Sequence, residues 1–155
     1  MGSRSKINLA YIAGFLDGDG SLMLQIKKRG DNGKSRFMVT ICFYQDTRHE
    51  KPLHWIRKKI GIGYISKRKD GITELRINGY KQAKVVLEKL KPFIKFKKIQ
   101  CQEILKAIKI LSKDKLKRKD YIRLVDCVIE IQKENYITKK KRNKRELLKI
   151  LGLTP

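Results

Sequence analysis

The chain is short of acid. Its 155 residues carry 15 Asp and Glu against 39 Lys and Arg, a net charge of +24 with both histidines neutral. A soluble domain with that surplus repels itself unless a polyanion is at hand. Nucleic acid is the partner this implies, because a basic surface gains affinity by releasing condensed counterions; a membrane surface is the lesser alternative. Cysteine is scarce as well. Cys42, Cys101 and Cys127 are odd in number and share no metal-type spacing, which fits a reducing, intracellular setting. No apolar run approaches the roughly 18–20 residues of a membrane span. The N-terminus also lacks the apolar core of a signal peptide. The expected location is therefore intracellular (cytoplasm, nucleoid or an organelle matrix) and not secreted. Apolar residues still make up 41% of the chain, enough for a folded domain and too many for a disordered tail.

The most informative stretch is Leu9-Ala10-Tyr11-Ile12-Ala13-Gly14-Phe15-Leu16-Asp17-Gly18-Asp19-Gly20-Ser21. It is an apolar helical segment with small residues at Ala10, Gly14 and Gly18, each four apart and so on one helix face. A face that flat admits another helix at close range. The segment ends on glycine with Asp19 at its exit, so two copies packed through that face would bring two acids together. Local chemistry alone leaves a plain turn open for Asp17-Gly18-Asp19-Gly20. A calcium loop is excluded, since the twelfth position from Asp17, where a Glu is needed, holds Lys28.

The rest of the pattern is mixed helix and strand. Residues 6–18 read as helix. From Ser21 the period is two: Leu22, Leu24 and Ile26 face one way, and Met23, Gln25, Lys27 and Arg29 the other. After the turn at 30–33, Phe37, Val39, Ile41 and Phe43 alternate with Arg36, Met38, Thr40, Cys42 and Tyr44, completing a hairpin. A helix follows over about 48–60 and stops at Gly61-Ile62-Gly63. A second hairpin runs through 64–69 and 72–77 around Asp70-Gly71, with Ser66, Arg68, Glu74 and Arg76 facing out. Helices are predicted over 80–90, 94–111 and 120–134, with a short one over 146–151. Lys139-Lys140-Lys141-Arg142-Asn143-Lys144-Arg145 holds six basic residues in seven and reads as a phosphate-binding arm, the alternative being a solvated run.

The opening segment with its Asp-Gly-Asp-Gly-Ser end resembles the LAGLIDADG motif of homing endonucleases. The order of elements, two basic-faced hairpins and the Lys-rich stretch Lys95-Phe96-Lys97-Lys98 agree with a single-motif member over about residues 7–111. The resemblance implies an α+β fold: an αββαββα core with additional C-terminal helices and a saddle-shaped antiparallel sheet over DNA. It implies one domain over 1–155, with the core at about 6–111 and the C-terminal helices and basic arm at about 112–155. One motif per chain implies a symmetric homodimer through Ala10, Ala13, Gly14 and Gly18, and hence a roughly palindromic duplex target.

By the same resemblance, Asp19 and the carbonyl of Gly18 are metal ligands, Gln45 orients water and Lys97 stabilises developing charge, with Asp17 structural. The implied cofactor is Mg²⁺ or another divalent cation such as Mn²⁺, since hard cations prefer carboxylate and carbonyl oxygens. Two acids at a dimer axis can hold ions that bridge both scissile phosphates. His49 departs from the family, which often has Arg there, so charge at that position depends on pH. The implied DNA-reading set is Gln25, Lys27, Arg29, Arg36, Met38, Thr40, Ser66, Arg68, Glu74 and Arg76, with Lys139, Lys140, Lys141 and Arg142 on the arm. Three rivals remain: an intron maturase that binds RNA, a cleavage-dead DNA-binding regulator and a structural RNA-binding protein. An acid set beside phosphates argues against pure binding, because it repels DNA unless a metal is present.

Overall fold

The computed structural model of the chain describes residues 2–28, 30, 33–135 and 139–153. The element order is α1 (Ser3–Asp19), β1 (Gly20–Lys28), β2 (Ser35–Asp46), a 3-10 turn (Thr47–His49), α2 (Lys51–Ile60), β3 (Tyr64–Lys67), β4 (Ile72–Asn78), α3 (Tyr80–Leu90), α4 (Lys98–Leu111), α5 (Arg118–Glu134) and α6 (Lys144–Ile150). This is the expected αββαββα order followed by further helices. The four strands form one sheet in the order β1-β2-β4-β3. Strand β4 pairs antiparallel with both β2 and β3, with Thr40 opposite Asn78 and Ser66 opposite Glu74.

The chain forms two compact units. The first comprises residues up to Leu22 with Thr40–Lys98, and the second Met23–Val39 with residues from Ile99 onward. In the first, Ile12 and Leu16 of α1, Ile41 and Phe43 of β2, Leu53 and Ile56 of α2, Leu75 and Ile77 of β4 and Leu87 of α3 are fully buried. Each such side chain contributes roughly 1.5–3 kcal/mol through burial. In the second unit, Ile104 and Ala107 of α4 and Leu124 and Val125 of α5 are equally closed to solvent, and Leu147 anchors α6. Phe37 of β2 stacks at a tilt on Tyr121 of α5, centroids 6.5 Å apart.

Two glycines fix the ends that matter for the site. A Cβ at Gly20 would lie 2.6 Å from Leu16 Cδ1 and 2.8 Å from the Leu16 carbonyl oxygen, so α1 can hand over to β1 this tightly only through glycine. Gly61 caps α2 in the left-handed region (φ 78°), its N–H donating to the Arg57 carbonyl. Helix α4 starts at Lys98 and not at residue 94. Residues 95–97 form a bend whose backbone donors point elsewhere.

Candidate active site and nucleic-acid interface

Those donors point at Asp17. Its Oδ2 accepts the backbone N–H of Lys95 (2.7 Å) and of Phe96 (3.2 Å), and its Oδ1 accepts the N–H of Lys97 (3.0 Å). Asp17 is 9% exposed, and its carboxylate is satisfied by three backbone donors. The ammonium of Lys97 returns to the same residue, donating to the Asp17 carbonyl at 2.7 Å. Burial pushes the Lys97 ammonium below its ordinary pKa, and the charges of Asp17 and Asp19 oppose that shift.

Asp19, two residues on, is exposed and carries no hydrogen bond or ion pair among the described residues. It is the last residue of α1, whose final turn holds no basic residue. The partial negative charge of a helix C-terminus and its unpaired carbonyls add to the carboxylate there. Asp19 and the Gly18 carbonyl therefore offer hard oxygen donors at an uncommitted, electronegative tip, which fits a divalent cation that keeps several waters. Among the described residues, no cluster of three or more Asp, Glu, His or Cys could hold a metal alone.

The end of β2 brings further polar groups. Gln45 Oε1 accepts the N–H of Asp46 (2.9 Å), which leaves its Nε2 to donate elsewhere. Ser21 and Tyr44 share a hydroxyl–hydroxyl bond of 2.9 Å. His49 closes the 3-10 turn in an exposed position. Arg48 beside it does not supply the missing charge freely. Its guanidinium grips Asp46 through Nε (3.0 Å) and Nη2 (2.8 Å), holding that carboxyl well below the usual carboxylate range.

The expected DNA-facing residues divide between the units. In the second, Gln25, Lys27 and Arg36 are exposed and Met38 is half-buried; Arg29 lies outside the described residues. Lys139, Lys140, Lys141 and Arg142 are exposed and precede α6. In the first, Arg68 is exposed, and Ser66 and Arg76 are half-buried. Two members of the set must be corrected. Thr40 is fully buried: it faces Asn78 across the β2–β4 ladder and donates its hydroxyl to Asn78 Oδ1 (3.0 Å). Glu74 is only 6% exposed and is covered by its neighbours, Oε1 by Arg68 Nη1 (3.4 Å) and Oε2 by Arg76 Nη1 (2.9 Å). It pairs with the Arg76 guanidinium, shares that of Arg68 with Asp70, and is closed to a base edge.

The small-residue face of α1 also needs one correction. Ala10, Gly14 and Gly18 are exposed, but Ala13 is fully buried with Ile12 and Leu16. Neighbouring helix positions lie about 100° apart, so Ala13 turns off the Gly14 face into the core. Sequence reasoning missed the apolar surface around that face. Ile7 is 65% exposed, Tyr11 54% and Phe96 84%. Tyr11 meets Trp55 edge-to-face at 5.5 Å, and with Ile7, Asn8 and Pro52 they line an open cleft of about 400 Å³. An aromatic set among three lysines (Lys95, Lys97 and Lys98), as Phe96 is, was the available signal.

An α1 tip that separates a saturated acid from an uncommitted one, on an αββαββα frame, defines a LAGLIDADG-type nuclease scaffold. Residues 12–108 match the model of the LAGLIDADG endonuclease family, and the chain belongs to that family. It is similar to the DNA endonuclease I-CvuI of Chlorella vulgaris, 32% identical over 154 residues that cover 95% of this chain and 93% of that one. It is also similar to the DNA endonuclease I-CreI of Chlamydomonas reinhardtii, 33% identical over 112 residues, 72% of this chain and 68% of that one. A crystal structure of I-CvuI in complex with its target in the presence of 2 mM Ca superposes with a TM-score of 0.86 at 28% identity, covering 99% of this chain and 100% of that one.

Proposed function

We propose that this chain is a site-specific homing endonuclease that hydrolyses both strands of a long, roughly palindromic DNA duplex. It acts as a homodimer with a divalent metal, Mg²⁺ or another such as Mn²⁺. The observation that carries this reading is the division of labour at the α1 tip: Asp17 is consumed by three backbone donors, and Asp19 is left open beside Lys97. A stability role explains the first acid and not the second. I-CvuI, the relative matched over almost its whole length, has been solved with its target in the presence of Ca, and with the I-CreI target in the presence of Mg with that DNA not cleaved.

When bound, a divalent ion supplies Lewis-acid charge at the attacking and leaving oxygens. Asp19 and the Gly18 carbonyl would hold it. Lys97, pinned to the Asp17 carbonyl, sets a positive charge beside that position and stabilises the extra negative charge of the phosphorane-like transition state. Gln45, with its Oε1 occupied by Asp46, presents Nε2 to orient a water. Gln25, Lys27, Arg36, Arg68 and Arg76 donate to base edges and phosphates.

Two strands need two acids, and each chain has one. The α1 glycines support the same partner. A Cβ at Gly14 or Gly18 would meet nothing within 4 Å inside the chain. Glycine in a helix costs about 1 kcal/mol against alanine, so the chain carries that cost at two positions for no contact of its own. A second α1 crossing there gives the glycines their use and carries two Asp19 residues to one axis.

The test is a cleavage selection. A randomised, near-palindromic duplex library is incubated with protein and Mg²⁺, beside an Asp19→Asn variant and an EDTA control, and cut ends are sequenced. A palindromic site cut only by the metal-supplied wild type is the expected result. Selective retention of duplex without cutting would replace the nuclease by a regulator, and absence of both would favour an RNA-binding maturase.

A further inference from the structure

Gln132 fixes the backbone of the basic run ahead of α6 at Arg142. Gln132, in the last turn of α5, accepts the Arg142 backbone N–H at Oε1 (3.0 Å) and donates from Nε2 to the Arg142 carbonyl (3.2 Å). The amide thus makes both bonds that a neighbouring strand residue would make. The next two residues are fixed as well: Asn143 caps α6 by accepting the Glu146 N–H (2.9 Å), and Lys144 pairs with Asp126 at 2.6 Å. The side chains of Lys140 and Arg142 carry no hydrogen bond or ion pair among the described residues. Their backbone is anchored while their charges are uncommitted.

What they face is a cleft of about 420 Å³ shared with β1. Gln25 and Lys27 line it from the strand, Lys140 and Arg142 from the run, and Gln132 and Asn135 from the end of α5. No carboxylate is among its described lining residues, and each polar side chain among them is a donor. Lysine and arginine set this close repel each other unless an anion lies between them.

We propose that Gln132 is a positioning residue that clamps the basic run against β1, so that Lys140 and Arg142 share with Gln25 and Lys27 one seat for a nucleic-acid backbone phosphate. The seat rests on the reading of the chain as a DNA-binding nuclease; the clamp does not. A strand whose side chains approach bases is thereby joined to a phosphate contact that fixes its register on the duplex.

The test uses the full chain with Gln132→Leu, which keeps bulk and loses both bonds, and Gln132→Ala as a second variant. Limited trypsin digestion of the free protein reads the clamp: cleavage within 139–142 should become faster, and unchanged cleavage would overturn it. Duplex binding against salt reads the seat. Affinity should fall about three- to tenfold for every sequence alike, with a shallower salt dependence. In a Lys140→Ala/Arg142→Ala background, Gln132→Leu should cost nothing further. An equal loss in that background would show that Gln132 acts elsewhere. A released run with unchanged affinity would overturn the seat and leave the clamp. No duplex binding by the wild type would overturn the nuclease reading and the seat, with the digestion still judging the clamp.

Discussion

Lys97 and Asp17 hold each other twice: the Lys97 N–H donates to Asp17 Oδ1 at 3.0 Å, and the Lys97 ammonium donates to the Asp17 carbonyl at 2.7 Å. With the N–H groups of Lys95 and Phe96 on the same carboxylate, one side chain ties the end of α1 to the bend at residues 95–97. Removing it strands three donors. Asp17→Ala should lower the unfolding free energy by about 2–4 kcal/mol, since bonds to a charged acceptor are each worth roughly 1.5–3 kcal/mol and do not add fully. Asp17→Asn keeps one acceptor oxygen and should lose about half as much. Urea denaturation measures both; an Asp17→Ala protein as stable as the wild type would show that the bend holds itself.

That relationship also marks the limit of what the sequence discloses. Strands β1 and β4 and helix α3 were legible because their periods of two and 3.6 are set by local burial, and Tyr80–Leu90 coincides with the expected span. The start of α4 was not. Ile94 continues the apolar spacing of the helix, yet Asp17, 78 residues away from Lys95, takes the donors that a further helical turn would expose. Thr40 and Glu74 follow the alternation onto the polar face of their strands, and the partners that cover them, Asn78, Arg68 and Arg76, become neighbours only through sheet register and side-chain pairing. The motif carried the identity of the acids; how each is occupied is a tertiary fact.

Gly14→Leu tests the proposed dimer separately from the fold. A Cβ added there meets nothing within 4 Å inside the chain, and leucine favours helix over glycine by roughly 0.5–1 kcal/mol. The monomer should therefore melt no lower than the wild type. Where a second α1 crosses, the same side chain prevents close approach. Sedimentation equilibrium should find the variant monomeric and the wild type dimeric. A dimeric variant would move the interface away from this helix face.

Glu74→Gln tests whether two guanidiniums owe their aim to one buried acid. The substitution keeps the shape, replaces one acceptor oxygen with an amide NH2 donor that faces an arginine, and removes the charge between Arg68 and Arg76. Stability should fall by about 1–3 kcal/mol, as for other broken buried networks. Binding to random duplex should persist, because both arginines still reach phosphates. Discrimination at the base pairs they face should broaden, which site selection on the variant would reveal. An unaltered preference would mean that Arg68 and Arg76 find their orientation without Glu74.

Asp120, buried at the start of α5, accepts the Lys113 ammonium (2.6 Å) and the Lys117 backbone N–H (2.9 Å). The Lys113 bond, and after it the Lys117 N–H, hold its carboxyl below the ordinary 3.8. A group whose folded pKa is depressed binds protons first in the unfolded chain as pH falls. Its stabilisation is therefore whole above the unfolded value and is lost as pH drops through the folded one. Asp120→Asn keeps an acceptor for the Lys117 N–H and removes the charge. The stability gap between wild type and variant should be constant from pH 7 to about 5 and should close below about 4. Guanidinium-free urea melts at pH 7, 5 and 3 read that gap directly. Taking the difference between the two proteins cancels the general acid sensitivity of a chain with a net charge of +24. A gap that stays the same at pH 3 would assign the stabilisation to the shape of the α5 cap and not to the Asp120–Lys113 pair.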